Sequence, residues 1–362
     1  MISIKSTFVN FNHIFQSKKK IKSDPKEINL FSKINNNITN NTKLTMLYEQ
    51  LIQGLKSWEY NPFVQTEQEI IYKFQSMFLY YDLYNELNIN VDRLYEFLIM
   101  VKDSYHKNPY HNLIHAFDVT QTLFCYLANM KMDQYFSKFE IFVLLISSLS
   151  HDLSHPGVSN NFLIQTSNEL AKQYNQISVL ENHHISTMYK LLHKSKVISH
   201  FTPKQKKLFK YLSSNAIFAT DLCNHNSIVE RLQSKLNSDQ CNIWSSLADK
   251  SLLIDVLVHT CDISNVAKPF QVSKEWTMLI SNEFIQQAHM EKKIGIPLSY
   301  NFDDHDSTNS EEILKKSAVN SVNFINTFCE PLLQLISRAF PETTPVLDYI
   351  EINKLNWYEI IE

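Results

Sequence analysis

Apolar residues recur three and four positions apart from Met46 nearly to the C-terminus, the spacing that lines one face of an α-helix. Thr66-Glu-Gln-Glu69 has the form of a capping box ahead of the periodic stretch Ile70–Phe78, and the same period runs through Asn90–Val101. It predicts further helices over 112–130, 138–150, 178–193, 203–214, 228–237, 246–260, 272–293, 310–339 and 345–350. Phe139–Leu149 is rich enough in Ile, Val and Leu to read as a buried helix. Connections are short and polar, and neither an internal repeat nor an interior linker is visible. The expected fold class is all-α, one compact multi-helix domain over 46–362. The longest break, 294–307, suits a lid over a pocket and an ordinary solvated loop equally well.

Residues 1–45 depart from this pattern. They hold eight lysines against Asp24 and Glu27, so they carry +6 while the remainder carries −9, and they include the Asn-rich run Asn35–Asn41. Low hydropathy at that charge predicts a disordered basic tail, for which contact with an anionic membrane surface or a protein partner is a reading. Only three glycines occur, Gly54, Gly157 and Gly295, which argues against Gly-rich phosphate loops and tight β-hairpins. Hydrophobic residues make up 44% of the 362, ample for a large core. Five widely spaced cysteines with no CxxC pair read as reduced thiols of a cytoplasmic protein. No apolar run reaches the roughly 18 residues that span a bilayer, and no nucleic-acid partner is expected.

Candidate chemistry begins where the buried helix ends. His151, Asp152 and His155 set two imidazoles and a carboxylate at the mouth of a hydrophobic interior, a metal-site composition. His111 and His115, four apart, share one helix face if the helix starts near Pro109; both could ligate, or one could act as an acid toward a bound substrate. Glu181 and His184, three apart, could orient a metal-bound water, although an acidic helix N-terminus explains Glu181 almost as well. Thr220 and Asp221 close an apolar stretch as a helix end would. Asp262 ends the apolar segment that starts at Ile254, where a carboxylate needs a partner and a metal ion supplies one; His259 reads as a satisfied core histidine. Two or more imidazoles and two carboxylates would thus surround one ion, with Asp152 bridging to a second, an arrangement suited to phosphodiester hydrolysis.

Six motifs follow in order: Tyr110-His-Asn-x-x-His-Ala116, His151-Asp-x-x-His-Pro-Gly-Val-Ser-Asn160, Leu180-Glu-Asn-His-His184, Ala219-Thr-Asp221, Asp262-Ile-Ser-Asn265 with Lys268-Pro269, and Trp276-Thr277. In these the chain resembles the catalytic domain of the class I 3′,5′-cyclic nucleotide phosphodiesterases, a branch of the HD-type metallohydrolases, from about Met46 almost to the C-terminus. The resemblance implies that His115, His151, Asp152 and Asp262 hold a first metal, zinc. It implies that Asp152 bridges to a second, magnesium or manganese, whose waters are held by groups such as His155, Glu181, His184 and Thr220, with Asp221 beside them. A hydroxide between the metals would attack phosphorus in line while His111 protonates the leaving O3′, giving the nucleoside 5′-monophosphate.

The resemblance also implies a base pocket. Ile280 and Phe324 match the aliphatic and aromatic residues that clamp the purine, with Tyr110 and Asn265 nearby. Asn265 matches a position that is often Asn in members hydrolysing cAMP, which favours cAMP over cGMP, with use of both as the alternative. Ser321 stands where the family has a glutamine that reads the purine edge, and Ser154 stands where an acid is common. Serine is too short for a bidentate amide contact, and losing one such contact costs about 1–3 kcal/mol where a polar partner is left unpaired. A regulatory module that binds the nucleotide without turnover is therefore an alternative, as is an HD-fold enzyme for another phosphate or a di-iron oxygenase, which metal content would separate.

Overall fold

Side-chain caps set where several helices begin. Capping boxes pair Thr66 with Glu69, Ser137 with Glu140, Thr202 with Gln205 and Ser246 with Asp249, each closing two backbone N–H groups that the first helical turn leaves open. The computed structural model describes residues 42–239, 243–300 and 310–362, and among these it has sixteen α-helices and no strand. The first eight are α1 (Thr42–Leu55), α2 (Glu67–Tyr80), α3 (Leu83–Glu86), α4 (Val91–Ser104), α5 (Leu113–Ala128), α6 (Lys138–Ser150), α7 (Asn160–Gln165) and α8 (Glu169–Gln173). There follow α9 (Val179–Ser195), α10 (Pro203–Phe218), α11 (His225–Leu236), α12 (Leu247–Ile263), α13 (Phe270–Ile294), α14 (Ser310–Phe324), α15 (Glu330–Ala339) and α16 (Pro345–Ile361).

The interior is built on α6, whose residues Ile141 to Ser150 are all buried, with α5, α10 and α12 packed around it. A helix hydrophobic all round needs such neighbours on every side. The C-terminal ends of α6, α10 and α12 carry Asp152, Thr220 and Asp262 to one cavity, and a helix C-terminus presents partial negative charge that favours a cation. The turn after α12 is fastened from behind. Asn353 donates to the carbonyls of Val266 and Lys268 at 2.7 and 2.8 Å, and Trp58 donates to that of Ala267 at 2.8 Å. Lys268, fully buried, donates to Gln121 at 3.3 Å and lies 4.4 Å over the Trp58 ring, so its charge is paired with a dipole and a π face.

Several expectations are corrected. The helix expected over 112–130 runs from Leu113, so the condition for His111 and His115 to share a helix face, a start near Pro109, is not met: the Asn112 side chain accepts from the N–H groups of Ile114 and His115 at 2.8 and 3.2 Å, and His111 precedes the helix. The stretch 310–339 is not one α-helix: Ile325–Cys329 forms a π-turn just ahead of Pro331, whose ring and missing N–H disfavour an unbroken α ladder. The last helix runs to Ile361 rather than stopping near 350. Two short helices, α7 and α8, occupy a stretch where periodicity over one turn is too little to read. The described cysteines are unpaired, with Cys125, Cys261 and Cys329 buried and Cys223 exposed. Of the tail expected over 1–45, only the start of α1 at Thr42 is described; the rest, and residues 301–307 of the long break, lie outside the described residues.

Candidate active site

Four side chains, from α5, α12 and the turn after α6, meet at the floor of the cavity. His115 Nε2 and His151 Nε2 each lie 3.0 Å from Asp262 Oδ1, and they lie 3.5 and 3.2 Å from Asp152 Oδ2. His184 Nε2 approaches the other Asp152 oxygen at 3.6 Å. The tautomers are set from behind: His151 Nδ1 donates to the Ser148 carbonyl at 2.8 Å and His184 Nδ1 to that of Leu153 at 2.7 Å. So held, each Nε2 faces carboxylate oxygens, carrying its lone pair when the imidazole is neutral and donating an N–H to them when it is protonated. Burial works against the Asp152 and Asp262 carboxylates, yet His151 and its neighbours hold both well below the usual range. Converging lone pairs on buried His and Asp fit a divalent cation between them, so this cluster could hold a metal ion.

A second group stands at the rim. His111 Nδ1 makes a short hydrogen bond with the Glu283 carboxylate, whose other oxygen accepts the backbone N–H groups of Tyr110 and His111 at 3.0 and 3.1 Å. The His111 ring stacks on His155, centroids 3.9 Å apart. Burial is the largest influence and lowers the His111 pKa, but Glu283, with Asp152 and Asp262, outweighs it, so the net shift is upward. His155 is held well below the ordinary histidine value, first by burial and then by the charge of His111. His184 falls to about 4, chiefly through burial. Glu283 was missed in the sequence; the signal available was a carboxylate three residues after Ile280, on the apolar face of α13.

The cavity above encloses about 360 Å³, within the range of small-molecule sites. Glu181, Thr220 and Asp221 line one side with Asp152, His155 and His184. Asn160 donates to Glu181 at 3.0 Å, while burial, and then the nearby Asp221, lifts the Glu181 carboxyl to about 7. Asp221 accepts from the Ser178 hydroxyl at 2.7 Å. The cavity wall also includes Ile280, Phe324 and Asn265, whose amide donates to the Tyr110 hydroxyl. Gln287, not foreseen, also lines this wall, but its amide is spent on Ser159, Glu291 and Ser299. Ser321 is not on the wall; it is buried behind it, its hydroxyl 3.0 Å from that of Thr277.

An all-helical fold with a buried His/Asp cluster beneath a concave site is the architecture of a metallohydrolase domain. Residues 110–350 match the 3′5′-cyclic nucleotide phosphodiesterase family, and the chain belongs to it. It is 33% identical over 311 residues to the 3′,5′-cyclic-nucleotide phosphodiesterase regA of Dictyostelium discoideum, covering 85% of this chain and 38% of that protein. It is 32% identical over 287 residues to 3′,5′-cyclic-AMP phosphodiesterase 4C of Rattus norvegicus, covering 77% of this chain and 52% of the relative. The match thus spans between a third and about half the length of these relatives. Among solved structures, the phosphodiesterase domain of the RhoPDE fusion protein from Salpingoeca rosetta superposes with a TM-score of 0.77 at 28% identity, covering 85% of this chain and 95% of that one. LmjPDEB1 in complex with IBMX gives 0.77 at 26% identity, covering 85% and 92%.

Proposed function

We propose that this protein hydrolyses the 3′ phosphoester bond of a 3′,5′-cyclic nucleotide to the nucleoside 5′-monophosphate, ending a cyclic-nucleotide signal. The observation that carries the reading is the four-residue cluster of His115, His151, Asp152 and Asp262 directly beneath the cavity that His111 faces. These four would hold a first divalent ion, zinc, and the outer Asp152 oxygen would face a second, magnesium or manganese, with His155, His184, Glu181 and Thr220 arranged to hold its waters. When bound, such ions supply a nucleophilic water at neutral pH and neutralise charge developing on phosphorus. Glu283 favours the protonated form of His111, and that imidazolium donates its proton to the departing O3′. Tyr110 holds the Asn265 amide, Ile280 and Phe324 offer apolar faces to a purine, and Asn265 favours adenine.

The same reading takes 46–362 as the catalytic domain, 1–45 as a basic tail for a peripheral membrane or protein contact, and the cytoplasm as its location. Among the described residues no helix is long and apolar enough to cross a membrane. The test is hydrolysis of cAMP and cGMP side by side by the purified protein with magnesium or manganese, against a chelated control. Chelator-sensitive turnover supports the enzyme. Metal binding with no turnover of either nucleotide favours the binding module, for which Ser321 is the specific observation.

A further inference from the structure

We infer that two hydrogen-bonded hydroxyl rungs between α13 and α14 set the gap between Ile280 and Phe324, so that Thr277, Ser281, Ser317 and Ser321 are positioning residues for the nucleotide base. The inference rests on the proposed function, since it assigns the base to that gap.

The rungs are Thr277 Oγ1 to Ser321 Oγ at 3.0 Å and Ser317 Oγ to Ser281 Oγ at 2.8 Å. Thr277 and Ser281 are four apart on α13, and Ser317 and Ser321 four apart on α14, each pair following one ridge of its helix. The pairing runs in opposite order along the two helices, so they are antiparallel here. All four residues are at most 5% exposed, and each hydroxyl would be costly to bury alone. A serine oxygen is only one bond beyond Cβ, so direct contact between these hydroxyls requires the two backbones to approach closely at the rungs.

This close approach reaches the cavity through sequence adjacency. Ile280 precedes Ser281 by one residue, and Phe324 lies one helical turn beyond Ser321; both line the cavity wall. Past Phe324 the chain enters the π-turn, and Cys329 Sγ donates to the Ile263 carbonyl at 3.1 Å, next to Asp262. Phe324 is thereby held between the hydroxyl rungs on one side and an anchor beside the His/Asp cluster on the other. Ser321 acts here as a spacer. A side chain bulkier than the serine at 281, 317 or 321 must push α14 outward and carry Phe324 with it. The groups proposed for the chemistry sit on other elements, apart from Glu283, which lies on α13 itself.

The test compares wild type with Ser317→Val, which removes a hydroxyl and adds volume, and Ser281→Ala, which removes a hydroxyl without adding any. KM and kcat are measured for cAMP and cGMP, together with turnover of bis(4-nitrophenyl) phosphate, a diester without a base. Ser317→Val is expected to raise KM for the cyclic nucleotides about fivefold or more with kcat within about twofold, leaving the base-free diester unchanged; Ser281→Ala is expected to shift KM in the same direction by less. Unchanged KM in Ser317→Val, or an equal loss on the base-free diester, would overturn the positioning role. If Ser317→Val does not fold, Ser281→Ala decides on the same criteria. Wild-type protein that turns over the base-free diester and no cyclic nucleotide would overturn the proposed function instead, which separates the two failures.

Discussion

The imidazole of His111 and the carboxylate of Glu283, 172 residues apart in the chain, share a short hydrogen bond at the cavity rim. Burial alone would lower the His111 pKa, and Glu283 is the largest influence raising it. The protonated form is lost as pH rises through that raised value. Glu283→Gln should therefore move the alkaline limb of the kcat–pH profile to lower pH, with a larger loss at about pH 8 than at about pH 6. Profiles measured at saturating cyclic nucleotide check this, and coincident alkaline limbs would reject it.

His111 and Asp262 should separate chemistry from metal retention. His111→Ala is expected to keep bound metal while kcat falls roughly a hundredfold or more, because an acid is lost and the His/Asp cluster is intact. Asp262→Ala is expected to lose metal and activity together, since its Oδ1 faces two imidazoles at 3.0 Å. Metal analysis after gel filtration, alongside turnover, distinguishes them. Full metal content in Asp262→Ala would remove it from the ligand set.

Gly157 has φ +75°, and a Cβ there would meet Asn108 Oδ1 at 2.9 Å. Asn108 in turn donates to the carbonyls of His111 and His155 at 2.9 and 2.7 Å. Gly157→Ala should strain the turn and displace the amide that holds both rim histidines. The expected outcome is about 1–3 kcal/mol of lost stability together with reduced kcat. Thermal unfolding and steady-state kinetics test it; a variant with wild-type Tm and kcat would show that the turn accommodates the methyl.

Asp255 is buried in α12, and one of its oxygens accepts both arms of Arg231 at 3.2 Å. Burial outweighs Arg231 and lifts its carboxyl from 3.8 to about 7. Between those values the folded state keeps a proton that the unfolded chain releases, so this group's contribution to stability declines as pH rises through that window. Asp255→Asn carries no such penalty. Its Tm relative to wild type should be more favourable at about pH 8 than at about pH 5. Equal differences at both would refute the buried-charge account.

Much of the architecture was legible because long amphipathic segments repeat their period many times over. The buried helix ending just before His151, the capping box at Thr66 and the run ending at Asp262 were all readable as local patterns. Failures came where one turn or one side chain decides. Asn112 moved the start of α5 past His111, and Pro331 converted part of a long helix into a π-turn. Both effects depend on a single cap or ring, which periodicity averages away.

The sequence by itself determined the all-α class, the His/Asp composition of the cluster and the family motifs, since each is a property of residue type and local spacing. Only the tertiary structure decided that Glu283 reaches His111, that Asn265 is held by Tyr110, and that Ser321 pairs with Thr277 behind the cavity wall. Those pairings join residues from 44 to 172 positions apart. Hydrogen bonds at such separation form only after packed helices have fixed which faces meet, and no local pattern in the chain encodes that choice.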